Sequence, residues 1–122
     1  MEQKKIEGFE DLVVWQLAID LAGAVYHVFE PMRDYTLKTQ IQRAAISISS
    51  NIAEGYERGS NKEFVQFLYY AKGSCGEVRS QAQLAVRVNL LSQAQAGPIV
   101  DSAKLLSAKL GAYIKVRETK FS

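Results

Sequence analysis

The sequence predicts an all-α protein: an up-down-up-down antiparallel four-helix bundle in a single domain, residues 1–122. Three observations predict it. Apolar residues recur three and four apart along most of the chain, the spacing of one helix face. Strand-like alternation is absent, and β-branched residues are scattered. Prolines occur only at Pro31 and Pro98, so few positions forbid a helix. A chain of 122 residues is the size of one ordinary domain and can bury roughly two-thirds of its unfolded surface.

The first helix is expected over about residues 11–30, opened by Asp11 as N-cap and stopped by Pro31. At about 100° per residue, Gln16, Asp20, Gly23, His27 and Glu30 share one narrow polar arc. Trp15, Ile19, Ala22, Tyr26 and Phe29 take one apolar flank, and Leu17, Leu21, Ala24 and Val28 take another. Two apolar flanks exceed what a peripheral helix of a small bundle needs. Either one flank faces the core and the other is covered by a second subunit, or the bundle wraps this helix more fully. The first reading predicts a homo-oligomer.

Residues 34–37 form a polar connector in which Asp34 or Thr36 can cap the second helix, about 37–58. Ile41, Ala45, Ile48, Ile52 and Tyr56 line one face of it, and it ends near Gly59. Ser60 followed by Glu63 has capping-box spacing and opens a long third helix, about 61–89. Phe64, Phe67, Leu68, Ala71, Cys75, Val78, Ala82 and Ala85 make its apolar face. For the fourth helix, Ser92 and Gln95 offer another capping box, whereas Gly97-Pro98 reads as a break. A helix over about 93–117 with a bend at Pro98 is preferred, with Ile99, Ala103, Leu106, Leu110 and Tyr113 facing the core. Short connectors make consecutive helices antiparallel. Residues 1–7 and 118–122 are expected to fray.

Composition and motifs argue against catalysis. Hydrophobic residues make up 48% and charged residues 23%, and the net charge of +2 neither demands nor excludes a polyanionic partner. A lone Cys75 precludes an intrachain disulfide, the opening MEQKKIEGFED lacks a signal-peptide stretch, and no apolar run spans a bilayer. A cytoplasmic protein without membrane contact is expected. One histidine, His27, cannot build the paired Glu-x-x-His elements of a di-iron bundle. Cys75 lies on an apolar face, where a free cysteine behaves as a small hydrophobe. GSCGE is not a nucleophile elbow, and EGYERGSNK lacks Walker spacing. The expectation is no enzyme, no cofactor and no metal.

Two segments carry a resemblance. FEDLVVWQLAIDLAGAVY and QIQRAAISISSNIAEGYERGSNKEFVQFLYYAKGSCGEV resemble the opening and the central signature of the bacterial ribosomal-RNA intervening-sequence proteins. The match covers residues 9 to about 90; beyond Leu91 only a compatible helical pattern continues. The resemblance implies a four-helix bundle assembled into a homopentameric ring. Members are encoded within intervening sequences of large-subunit ribosomal RNA genes or stand alone in bacterial genomes. A related accessory protein of diversity-generating retroelements is a basic pentamer that binds nucleic acid and a reverse transcriptase. Cys75, where a bulkier aliphatic residue is usual, and Gly97-Pro98 depart from the pattern.

Within the signature, Arg43, Ser47, Ser50, Asn51, Glu54 and Arg58 lie roughly opposite the isoleucines of the second helix. They form either a solvated face with a Glu54–Arg58 ion pair, or an intersubunit network in which Arg43, Asn51 and Glu54 meet Glu77 or Arg79. Gly55 falls on the isoleucine side, where another helix can approach closely. Gly73 and Gly76, flanking Ser74, are read as close-packing positions in preference to a hinge, because mid-helix glycine costs up to about 1 kcal/mol. On the outer arc of the third helix, Lys62, Tyr69, Lys72, Arg79 and Arg87 align with no acidic residue of that helix among them. Such a stripe suits a phosphate backbone, with Tyr69 able to stack on an unpaired base, although scattered surface Lys and Arg usually serve only solubility. Two functions are carried forward: an oligomer that binds RNA or DNA through the stripe, and a protein–protein scaffold without nucleic-acid binding.

Overall fold

The computed structural model describes residues 5–121. Among them it contains a 3₁₀ turn at Phe9–Asp11 and four helices: α1 at Val13–Phe29, α2 at Tyr35–Glu57, α3 at Asn61–Arg87 and α4 at Gln93–Lys120. No strand occurs among the described residues. Each helix packs against its neighbour in sequence, and α4 closes back on α1. α1 and α3 stand on one diagonal, α2 and α4 on the other, without direct packing across either.

One apolar core fills the space between the four helices. Phe29, Ile41, Ile48, Ile52, Leu68, Ile99, Leu106 and Leu110 are its largest fully buried side chains. Its composition follows the helical period on α2, α3 and α4, where most residues of the expected apolar faces are buried; Tyr56 and Phe67, also expected there, are only half-buried. On α4 the line extends from Ala96 to Ile114, and Tyr113 is only half-buried.

α1 differs from the expectation. Its buried residues are Val14, Ala18, Leu21, Val25 and Phe29, a line running between the two apolar flanks and taking one member from each. Of the other flank members, Trp15, Ala22, Leu17 and Val28 are half-buried against the core, whereas Ile19, Tyr26 and Ala24 are exposed, Tyr26 beside α2 and Ala24 beside α4. Neither flank as a whole faces the core.

Caps set the element ends. Asp11 is not the N-cap of α1; Leu12 is, and the Asp11 carboxylate accepts the backbone N–H groups of Glu7 and Gly8 instead. Asp34 caps α2 by accepting Leu37 N–H at 3.0 Å, so that helix starts two residues before the expected Leu37. Ser60 accepts Glu63 N–H at 3.2 Å. α3 ends at Arg87, two residues early, because Asn89 adopts φ +64 and Leu90 N–H returns to the Ala85 carbonyl at 2.8 Å. Ser92 and Gln95 form the reciprocal box expected of them, and α4 passes through Pro98 without ending. α4 also continues through residues 118–120, which were expected to fray. Residues 1–4 and 122 lie outside the described residues.

Candidate nucleic-acid interface

α3 turns its core face inward with Phe64, Leu68, Ala71, Cys75, Val78 and Ala82 buried. The 3.6-residue period then spreads Lys62, Tyr69, Lys72, Arg79 and Arg87 over an arc from the outer side of α3 to its flank beside α4, and all five are exposed. Tyr69 keeps 51% of its surface accessible. α3 lies diagonally across the bundle from α1, so this stripe faces away from the excess apolar surface of α1.

The neighbouring helix changes the electrostatics that α3 alone suggests. Tyr69 Oη donates to Glu118 Oε2 at 3.5 Å, and Glu118 shares a shallow cleft with Lys62. Asp101 lines another cleft, of about 550 Å³, with Gln83 and Arg87. Carboxylates of α4 therefore flank both ends of the stripe, leaving Lys72 and Arg79 as its least opposed cations. A methyl group at Gly111 would sit 3.4 Å from Lys72 Cε, which places the lysine stem against the α4 backbone. A wheel of α3 could not register these carboxylates because they belong to residues 14 and 31 positions beyond its end.

The signature residues divide between two places. Asn51 Nδ2 donates to the Ser47 carbonyl at 2.8 Å and to Ser47 Oγ at 2.9 Å. Ser47 Oγ in turn lies 2.9 Å from Oγ of Ser74, which is buried on α3. The polar link between α2 and α3 thus runs through Ser47, Asn51 and Ser74 inside one protomer. Glu54 pairs with Arg58 at 2.8 Å, and Arg58 also reaches Glu63 at 3.5 Å while lying over the Phe67 ring. Arg43, Glu77 and Arg79 are exposed and take no part in these bonds.

The glycines also part company. Gly55 is buried, and a Cβ there would come within 2.6 Å of Phe67 Cβ. Gly73 and Gly76 are exposed, with nothing within 4 Å of a Cβ at either position. The close-packing reading of those two fails within the protomer, because both point away from the core on the outer side of α3.

Sequence reasoning missed one polar cluster. Arg117 donates from Nε to Asn61 Oδ1 at 2.9 Å, while Asn61 Nδ2 donates to the Arg117 carbonyl at 3.1 Å. The guanidinium also stacks on Phe64 and Phe121. Asn61 had only the signal of a residue following an N-cap, and Arg117 lies 56 positions away. Cys75 is buried, and that burial pushes its thiol up to about 12, slightly offset by Lys72. Its thiolate is negligible near neutrality. Among the described residues no three His, Cys, Asp or Glu side chains gather as a metal site, and no helix is long and apolar enough to cross a membrane.

With this geometry in view, the sequence matches the family of 23S rRNA-intervening sequence proteins over residues 10–112. The chain belongs to that family. The match extends past Leu91 and takes in most of α4, further than the resemblance in the sequence reached. A solved structure of a protein of unknown function, from the S23 ribosomal protein family of Bacteroides thetaiotaomicron, shares the fold. It superposes with a TM-score of 0.79 at 22% identity, covering 84% of this chain and 99% of that one. A comparison with curated proteins gives no match. In this 23S rRNA-intervening sequence protein, Ser47, Asn51, Gly55 and Ser74 all sit at the α2–α3 contact.

Proposed function

We propose that this chain is a non-catalytic, self-associating bundle that holds the phosphate backbone of RNA or DNA along the outer side of α3. The observation that carries the reading is the simultaneous exposure of Lys62, Tyr69, Lys72, Arg79 and Arg87 on one side of one rigid helix. The name of the family, with its reference to 23S rRNA, adds weight. The helices are read as running up-down-up-down. Asn61 beside Arg117 joins the start of α3 to the end of α4, and Gly55 beside Phe64 and Phe67 joins the end of α2 to the start of α3; both support that course. The five-copy ring implied by the resemblance is the expected assembly, and it would repeat the stripe on every copy. The absence of catalysis rests on a single histidine and a single, deeply buried thiol.

Fluorescence anisotropy with a labelled RNA oligonucleotide, titrated between about 50 and 200 mM salt, tests the stripe. The Lys72→Glu/Arg79→Glu/Arg87→Glu variant is expected to weaken binding and flatten the slope of log K against log salt by about 3, one per lost phosphate contact. Equal affinity and equal slope in the variant would remove the stripe from the account.

The carboxylates of Asp101 and Glu118 favour a second reading, a protein–protein scaffold, because they oppose a polyanion at both ends of the stripe. A stoichiometric protein partner whose retention survives nuclease treatment would support it.

A further inference from the structure

The geometry points to the seam between α1 and α4 as the face on which a second copy of this chain docks, α1 of one copy against α4 of the next. This rests on the reading that copies associate, and it names the surface they use.

α4 is apolar on opposite sides. Ala103, Leu106, Leu110 and Ile114 are buried, yet Leu105, Ala108, Ala112 and Val116 form an outward line, with Leu105 53% and Val116 42% accessible. Two apolar lines on one helix are more than a single protomer covers: the first faces the core and the second, set between lysines, faces outward. α1 contributes the opposite bank of the seam through Val13, Leu17 and Ala24, of which Val13 is 60% accessible. Two clefts lie along the seam. One, of about 470 Å³, lies between Leu12, Val13 and Ala112; the other, of about 220 Å³, lies between Leu17, Ala24 and Leu105. Shape and apolarity therefore persist over most of the length of α1.

Charge selects the occupant. Between Val13 and Phe29, α1 carries no Lys or Arg, and its only charged side chain at the seam is Asp20. The α4 bank carries Lys109, with Lys104 and Lys115 exposed on the same helix; these lysines outnumber its carboxylates, Asp101 one turn before Leu105 and Glu118 just past Val116. Opposite signs on the two banks make the seam complementary to another copy of itself: an incoming α1 brings its carboxylate to the lysine bank. A nucleic acid would find too little positive charge among the exposed aliphatic groups. The stripe on α3 borders α4 on the side away from α1.

Light scattering of the full chain and of the Leu105→Glu/Val116→Glu variant, at equal micromolar concentration, tests the inference. The native chain is expected above the protomer mass of 13.6 kDa, and the variant at that mass with unchanged helical circular dichroism. A second measurement does not depend on how the variant folds. Separate Ala24→Cys and Leu105→Cys chains, mixed and oxidised, are expected to give at least tenfold more covalent dimer than either alone. Cys75, being buried, stays silent. A native chain that runs at protomer mass would overturn self-association itself. An oligomer that survives the double substitution, with no excess of mixed cross-link, would overturn only the choice of this seam.

Discussion

A methyl group added at Gly55 would meet Phe67 Cβ at 2.6 Å and Phe64 Cδ1 at 3.1 Å. The first of these atoms is attached directly to the α3 backbone and cannot swing aside as the tip of a flexible side chain would. Gly55→Ala must therefore push α2 and α3 apart. The helix-propensity gain of about 1 kcal/mol from replacing glycine is outweighed by overpacking of about 1–3 kcal/mol. Urea unfolding followed by circular dichroism is expected to show a lower midpoint, whereas Gly73→Ala and Gly76→Ala, with open space at Cβ, should raise it. A Gly55→Ala chain as stable as the native one would show that the two helices are free to separate. Helical spacing put Gly55 on the buried side of α2 and puts Gly73 off the Ala71, Cys75 and Val78 face of α3, but spacing alone does not say how closely a neighbouring helix approaches. Whether a glycine is crowded depends on what the neighbouring helix presents, which is Phe67 in one case and solvent in the other.

At the scale of helices, legibility followed the strength of the local signals. Ser92 and Gln95 outweighed Gly97-Pro98 because a reciprocal box satisfies two backbone groups at once, at 2.9 and 3.1 Å. Pro98 lies in the second turn of α4 and forfeits just one backbone bond there. Ser92→Ala is expected to lower stability by about 1 kcal/mol, read as a reduced melting temperature with the core unchanged. An unaltered melting temperature would mean that α4 is fixed by packing alone. The end of α3 was less legible because Asn89 closes it in the left-handed region, a role in which glycine gives the plainer signal. The buried line of α1 was missed for a different reason. Both sides of Val14, Ala18 and Val25 are apolar too, so the wheel shows a broad band without a centre. Only the positions of α2 and α4 decide which part of that band is interior.

For the whole molecule, the diagonal arrangement separates two kinds of surface: an apolar seam on the α1 side and a cationic stripe on α3. Two weak acids, the buried Cys75 and the half-buried Tyr113, are harder to ionise than in solution. Burial pushes the Cys75 thiol up to about 12 from 9.0, and burial likewise raises Tyr113, partly offset by Arg117. Both groups hold a proton more tightly in the folded chain than in the unfolded one. Below about pH 9 both states are protonated and the full stability is present. As pH rises from about 9 towards 12, the unfolded chain loses its thiol proton first, so stability falls by up to about 1.4 kcal/mol per unit from Cys75. Urea midpoints at pH 8 and pH 10 are expected to differ in that direction, with Cys75→Ala reducing the difference. Equal midpoints would mean that water reaches the thiol. The charge placement on the stripe was only half legible for a related reason: the cations are written in one helix and the opposing carboxylates in another.

The pairing of Asn61 with Arg117 ties the last turns of α4 to the corner where α2 hands over to α3. The tail of the chain acts as a latch on its middle. Loosening of the final turn and opening of that corner are consequently one event, and anything that grips the C-terminus also steadies the root of the cationic helix.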